Sequence, residues 1–341
     1  MKKPIAIIFN DAHLKTGNES ETIDSVKHLI QHAKSTKVKY LIFAGDLFDS
    51  RSFQKQSVLQ AFDTILDMIQ EAKLTLYLFP GNHDKTLYNS SYSFLDIYRH
   101  HPCVKFNRDL EVVEIEGVTI TLLPFFTTEM LVPMIEKAKG TDVLISHFEM
   151  FGSTHLGKVN KNKSITKTLL KKWSKVYLGH YHNHHEISED IVHLPSLRQQ
   201  SFGEDDNKGF TMLYDDLSYE IVRGRFKRFS KVVIDVNTIT PTELKGLIKN
   251  NTGSSDTIRF EFVGDEAKLK AIDKTQFNGT GIDVKIKFGV KYDFDSEDLV
   301  LPSIIETYSK EEINRTFKSF CEDKGYDFKE GSVLLQEFLN K

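Results

Sequence analysis

Short runs of consecutive apolar residues alternate, over the first two thirds of the chain, with stretches whose apolar residues recur every three or four positions. The runs IAIIF, YLIFA, LYLF, VLI and VYL end just ahead of Asp11, Asp46, Asn82, His147 and His180. Runs rich in Ile, Val, Leu and aromatics mark strands buried on both faces. Between them, Ile23, Val26, Leu29, Ile30 and Ala33 have helical spacing across 21–37, as do Val58, Phe62, Ile65, Leu66 and Ile69 across 54–73. VVEI and VTITLL alternate in the strand manner on either side of Glu116 and Gly117, which predicts a hairpin over 111–123. The alternation predicts an α/β fold, a layered sandwich of mixed β-sheets with flanking helices. Open α/β sheets bind ligands beyond the carboxyl ends of their strands, and here each of five such ends carries a potential metal ligand.

The pattern changes near Arg223. Residues 223–231 read RGRFKRFSK, basic and without acids, and serve as a connector. Beyond it KVVIDV, a helix begun by Pro241, TIRFEFV, a helix over 265–276 and VKIKFGV spell a compact β-α-β-α-β unit. From Ser296 onward the spacing is helical throughout, with segments over 299–308, 310–323 and 332–339. The expected domains are therefore 1–226, a small α/β cap over 227–295, and a helical tail over 296–341.

Composition narrows the classes without choosing one. The chain has 341 residues, 40% hydrophobic and 27% charged, with a formal net charge of −3, which suits a soluble globular protein of two or three units. Nothing approaches the ~20 consecutive apolar residues of a membrane span. The two cysteines, Cys103 and Cys321, have no spacing that suggests a zinc site or redox pair. A cytoplasmic, reducing setting is expected.

In order, the candidate ligands are Asp11 and His13, Asp46 and Asp49, Asn82 with His83 and Asp84, His147, and His180 with His182. Carboxylate, imidazole and one amide oxygen, without thiolate, suit borderline-to-hard divalent ions such as Mn²⁺ rather than a closed structural zinc site. Glycines before Asp46, Asn82 and His180 fit tight strand-to-loop turns that need unusual dihedrals. Any one of these pieces alone is an ordinary turn or a satisfied histidine. All five, in order and each after a buried strand, point to a metal centre.

The set D-x-H, G-D-x-x-D, G-N-H-D, a lone His and G-H-x-H resembles the calcineurin-like metallophosphoesterase superfamily. That resemblance implies two divalent ions, Mn²⁺ first and Mg²⁺ second. Asp11, His13, Asp46 and His182 would hold one, and Asp46, Asn82, His147 and His180 the other. It also implies that His83 contacts the phosphate and helps protonate the leaving oxygen, with Asp84 orienting it. AGDLFDS and PGNHD, rather than the G-D-x-x-D-R-G and R-G-N-H-E of protein phosphatases, resemble SbcD-like nuclease subunits of DNA-repair exonucleases, of phage or bacterial type. Leu194-Pro195-Ser196, then Ser201 to Glu204 and Lys208-Gly209-Phe210, are similar to a further stretch of that group, except that a glycine is missing between Pro195 and Ser196. The implied activity is double-strand exonuclease and single-strand endonuclease cleavage in DNA repair and recombination. The implied partners are DNA, an SbcC-like coiled-coil ATPase bound by the helical tail, and a second copy of the chain in a homodimer.

Residues 158–175 hold seven lysines (158, 161, 163, 167, 171, 172 and 175) and no acid, a candidate polyanion contact. RGRFKRFSK is a second candidate and Arg198 a third; the same charges also suit a solvated loop. His184 and His185 read as surface residues beside a filled metal shell. The terminal helices could pack on their own protein or receive a partner's coiled coil. Two rivals stand beside this reading: a small-molecule phosphoesterase acting on nucleotides or phosphomonoesters, which shares every ligand, and a catalytically silent binding scaffold, which would be expected to have lost ligands that this chain retains.

Overall fold

The computed structural model describes residues 2–155, 158–288 and 318. The chain divides into a unit of residues 1–231 with 254–258, and a second unit of 232–253 and the chain from 259 on. The predicted tail over 296–341 lies outside the described residues, apart from Lys318.

In chain order the first unit runs β1 (Pro4–Phe9), α1 (Glu19–Thr36), β2 (Tyr40–Ala44), α2 (Gln56–Glu71), β3 (Thr75–Phe79) and β4 (Val104–Phe106). It continues through the hairpin β5 (Glu111–Ile115) and β6 (Val118–Leu123), then α3 (Thr128–Lys137) and β7 (Val143–His147). Next come the small hairpin β8 (Thr154–His155) and β9 (Lys158–Val159), α4 (Lys167–Leu170), β10 (Lys175–Gly179), β11 (His185–Ser188) and β12 (Ile191–His193). The antiparallel pair β13 (Gly209–Tyr214) and β14 (Tyr219–Arg223) closes it.

Among the described residues these strands form two six-stranded mixed sheets, in the orders β14-β13-β1-β2-β3-β4 and β11-β12-β10-β7-β6-β5. The inner pairs β1–β2, β2–β3, β6–β7 and β7–β10 are parallel, whereas β13–β14 and β5–β6 are antiparallel at the edges. Period-two alternation sends each inner strand's side chains to opposite faces. Ile7, Phe9, Leu41 and Phe43 pack with Val26, Leu29, Phe62 and Leu66 of α1 and α2. Ala6, Ile8, Ile42 and Ala44 meet Ile120, Ile145 and Tyr177 of the second sheet. Leu144, Val176 and Leu178 face Leu131, Ile135 and Leu170 of α3 and α4. The result is four layers, helix–sheet–sheet–helix, in which β1, β2, β3, β7 and β10 are covered on both faces, as their unbroken apolar runs predict.

One helix lies where the sequence reading named no element: α3, with Pro133 inside it and Leu131 and Ile135 buried. The single helix expected over 265–276 is two pieces, α6 (Glu266–Lys270) and a 3₁₀ turn over Lys274–Phe277. Asp273 breaks it: its side chain accepts from the backbone N–H of Thr275, the competition that makes aspartate a cap rather than a helix interior residue.

The second unit otherwise follows the expected order. β15 (Phe229–Asp235), β16 (Thr257–Val263) and β17 (Asp283–Ile286) form a three-stranded sheet among the described residues, and Phe260, Phe262 and Phe277 meet edge to face. α5 (Pro241–Asn251) starts with proline at its first turn, under a reciprocal Thr240–Glu243 capping box.

Candidate metal centre

The parallel register of β1 and β2 continues past the strand ends. Backbone N–H groups of Asp11, His13 and Leu14 donate to the carbonyls of Gly45, Asp46 and Leu47 at 3.0, 3.1 and 2.7 Å. This ladder holds the Asp11–His13 loop against the Asp46 loop. The turns are sharp: Asp11, His13, Asp46 and His180 all take positive φ, at 50°, 43°, 59° and 86°. Left-handed backbone in such residues costs roughly 1–3 kcal/mol each, and it concentrates where function fixes a side chain's direction. Gly45 has the expected positive φ of 88°, and a Cβ there would also lie 2.5 Å from His147 Nδ1. Gly81 has an ordinary φ; space is its reason, since a Cβ would overlap the Asp46 backbone nitrogen and carboxylate.

The strand ends from the two sheets converge. His147 Nε2 lies 3.2 Å from Asp46 Oδ2 and 3.2 Å from Asn82 Oδ1. His180 Nδ1 lies 2.9 Å from Asn82 Oδ1. His13 Nε2 and His182 Nε2 are 3.1 Å apart, and both face Asp11 Oδ1, at 3.7 and 3.8 Å. Two triads, Asp11–His13–His182 and Asp46–His147–His180, each gather three ligand atoms within 4.8 Å, and a third, His13–Asp46–His83, bridges them. The seven expected ligands thus meet in one place, with His83 beside them, its ring 4.7 Å from that of His13.

Asp84 stands apart from its expected role. Its carboxylate does not hold His83; it accepts backbone N–H groups from Asp46, Leu47 and Gly81 on Oδ2 and from Phe48 on Oδ1, at 2.9 to 3.2 Å. It is a buried staple tying the Asn82 turn to the Asp46 turn. His83 is held instead by the backbone carbonyl of Asp49, which accepts from Nδ1 at 2.7 Å. Other contacts pass unread in the sequence. Glu204 Oε1 lies 3.0 Å from His182 Nδ1, and the carbonyl of Ala44 lies 2.8 Å from His147 Nδ1, so each of these rings presents Nε2 to the centre. Glu204 is visible in the sequence only as part of the Ser201–Glu204 motif.

A cation fits this arrangement on the structure's own terms. Asp11 Oδ1 is buried and lacks a hydrogen-bond partner, an expensive state that a metal ion relieves. Burial alone would raise the Asp11 carboxyl, but His147, His13 and His182 outweigh it and hold it well below the usual carboxylate range. Asp46 is likewise lowered, against burial, mainly by His147. Without metal, burial disfavours charge on His147, yet Asp46 and Asp11 overcome it and raise that imidazole to about 9. Burial, then the charge on His147, depresses His180 to about 3. Burial and Asp46 push the Asp84 carboxyl up to about 7, against the pull of its amide donors. His13, Asp46, Asn82, His180 and His182 border a cleft of about 440 Å³ that is also lined by Lys15, ion-paired with Asp49 at 2.9 Å.

The remaining candidates separate by what they touch. Lys172 donates to the carbonyls of Ile135, Glu136 and Ala138 at the end of α3, and Lys167 and Lys175 to those of Ile187 and Glu189. Lys158, Lys161 and Lys163 are exposed. Arg198 is buried and donates to the carbonyl of His13, so it braces the site and offers no surface charge. In the connector, Arg223 pairs with Asp206 and Arg228 with Asp256. His184 and His185 are half-buried rather than surface residues, and His185 stacks on His193 at 4.7 Å, with its ring 6.1 Å from that of Tyr181.

Four layers with a dinuclear constellation of Asp, His and Asn at the strand ends define a metal-dependent phosphoesterase. Residues 6–224 match the calcineurin-like phosphoesterase family, and the chain belongs to it; members of this family use a dinuclear metal centre. Exonuclease subunit 1 of Enterobacteria phage T4 is 25% identical over 195 residues, 56% of this chain and 57% of the phage subunit, so the match spans little more than half of that relative. Putative phosphoesterase 244L of Invertebrate iridescent virus 6 is 22% identical over 255 residues, 70% of this chain and 85% of that protein. Among solved structures, a dimetal phosphatase from Danio rerio aligns over 62% of this chain and 93% of its own, at 11% identity and a TM-score of 0.44. Pseudomonas putida nuclease MPE aligns over 64% and 87%, at 16% identity and a TM-score of 0.32. Among the described residues no helix is long and apolar enough to cross a membrane.

Proposed function

We propose that the chain is the nuclease subunit of a DNA-processing enzyme that hydrolyses phosphodiester bonds at duplex ends and in single strands. In this reading Asp11, His13, Asp46 and His182 would hold one divalent ion, and Asp46, Asn82, His147 and His180 would hold a second. The observation that carries it is the pair of buried triads joined through Asp46, with the unpartnered Asp11 Oδ1 at their centre. The likeness to the phage exonuclease subunit directs it to DNA. When bound, the two ions clamp the phosphate and lower the pKa of an attacking water; Mn²⁺ suits the donors best and Mg²⁺ second.

The chain's own residues supply the rest. The Asp49 carbonyl accepts a hydrogen bond from Nδ1–H of His83, so the imidazolium form would carry its second proton on Nε2 and give it to the leaving oxygen in the cleft, returning to neutral imidazole. Glu204 fixes the ring of His182, and Asp84 fixes the two turns. Exposed Lys158, Lys161 and Lys163 follow β8, whose Thr154 backbone N–H donates to His185. They are the duplex's phosphate contacts. An SbcC-like ATPase would supply DNA opening, and a homodimer would present two sites. The small α/β unit would act as a cap over the DNA, with the helical tail as the ATPase-binding segment.

The test is digestion of end-labelled duplex DNA with Mn²⁺, beside hydrolysis of bis-p-nitrophenyl phosphate, by wild type and His83→Ala. DNA cleavage that falls about 10²–10⁴-fold in the variant, with metal content unchanged, supports the reading. Turnover of the small ester with intact DNA, repeated with the ATPase partner present, would replace it with the small-molecule phosphoesterase.

A further inference from the structure

The two loops that bring Asp49 and His83 into the cleft turn outward within a few residues and wall a second cavity. It measures about 400 Å³ and is lined by Arg51, Thr86, Leu87, Tyr88 and Thr127 among others, with no carboxylate among the described lining residues. Thr86 Oγ1 donates to the carbonyl of Arg51 at 3.2 Å, so the loops are tied to each other beyond the His83–Asp49 contact. The Arg51 guanidinium lies over the Tyr88 ring, 5.3 Å from its centroid. Tyr88 stands edge-on to Phe125 at 5.2 Å, and Phe125 in turn meets the ring of His147 at 6.5 Å. The shelf is therefore separated from the metal centre by one aromatic ring.

Its floor is fixed by a residue that no metal motif requires. Lys85 is fully buried, and its ammonium donates to the carbonyls of Ser90 at 2.9 Å and Phe125 at 2.6 Å while lying 3.7 Å from the Phe126 ring centroid. One cation thus ties the 85–90 loop to the segment carrying Phe125, the ring against which Tyr88 stands. Above this floor Arg51 is exposed, and Leu87 is 64% exposed. A flat cation backed by a ring, an open aliphatic beside it and no acid nearby make a surface for a planar π-system that carries negative charge. A nucleobase on a phosphate chain has that chemistry: bases stack on guanidinium planes and aromatic rings.

We propose that the Arg51–Tyr88 shelf is a nucleobase subsite, receiving the base of the nucleotide next to the scissile phosphate. The proposal rests on the nuclease reading and narrows it: the enzyme grips an unstacked base beside the cut, which favours frayed ends and single strands.

The test is inhibition of bis-p-nitrophenyl phosphate hydrolysis by thymidine 5′-monophosphate and by the base-free deoxyribose 5-phosphate. Wild type should bind the nucleotide about tenfold more tightly than the base-free sugar phosphate. Arg51→Ala and Tyr88→Ala should bring the two inhibition constants together, and Tyr88→Phe should keep them apart. Equal constants in wild type, or a ratio untouched by Arg51→Ala and by Tyr88→Ala, would overturn the shelf. Tyr88→Phe and the exposed Arg51→Ala keep the test decisive if Tyr88→Ala does not fold. DNA digestion by the same preparations separates the two ideas. Normal DNA cutting with equal constants removes the shelf alone, whereas base preference without DNA cutting leaves the shelf and removes the nuclease.

Discussion

At the scale of single residues, identity and role come apart most clearly in the Gly81–Asp84 turn. The motif announces three chemistry-bearing residues, but only Asn82 and His83 line the cleft. Asp84 spends both oxygens on four backbone amides, and that exchange explains its complete burial. Asp84→Asn sets an amide donor against at least one N–H donor, at a cost of about 1–3 kcal/mol. It should lower the melting temperature by several degrees in a thermal scan, whereas His83→Ala should leave it almost unchanged. A variant at Asp84 that melts like wild type and loses only turnover would return that residue to the catalytic machinery. The seven expected ligands were legible because each follows a buried strand. Glu204, the Asp49 carbonyl and Lys85 were not, since a carboxylate two strands away, a backbone oxygen and a buried lysine leave no spacing signature.

At the scale of elements, the strands and the first two helices were readable because burial enforces their periods. Val58, Phe62, Ile65, Leu66 and Ile69 are the buried stripe of α2 that helical spacing predicts. Helix α3, with Pro133 inside it, went unread, and periodicity failed after α6, where Asp273 caps a new turn. It also failed to sort the lysines of 158–175, because charge alone cannot distinguish a helix-end clamp from a solvent-facing contact. The structure makes the distinction testable. Replacing Lys158, Lys161 and Lys163 together by Gln should reduce the slope of log affinity against log salt for duplex DNA by up to about three, with stability intact. Lys172→Ala should instead destabilise the α3 terminus and leave that slope unchanged. Equal slopes for wild type and the triple variant, from salt titrations by fluorescence anisotropy, would remove these lysines from the DNA contact.

At the scale of the whole molecule, a formal net charge of −3 marks no polyanion binder, and the active-site carboxylates would repel a phosphate chain. In the proposed nuclease, binding would depend on ions neutralising Asp11 and Asp46 and on local cationic patches, so that DNA affinity and metal occupancy should rise together. The four-layer sandwich supplies the site: two sheets, packed face to face, bring five strand ends to one edge. The most direct measurement is anomalous diffraction from crystals grown with Mn²⁺. Two peaks roughly 3.5–4 Å apart, with an Asp46 oxygen between them, His13 and His182 on one and His147 and His180 on the other, are what the account predicts. A single peak, or ions bound away from Asp46, would contradict it.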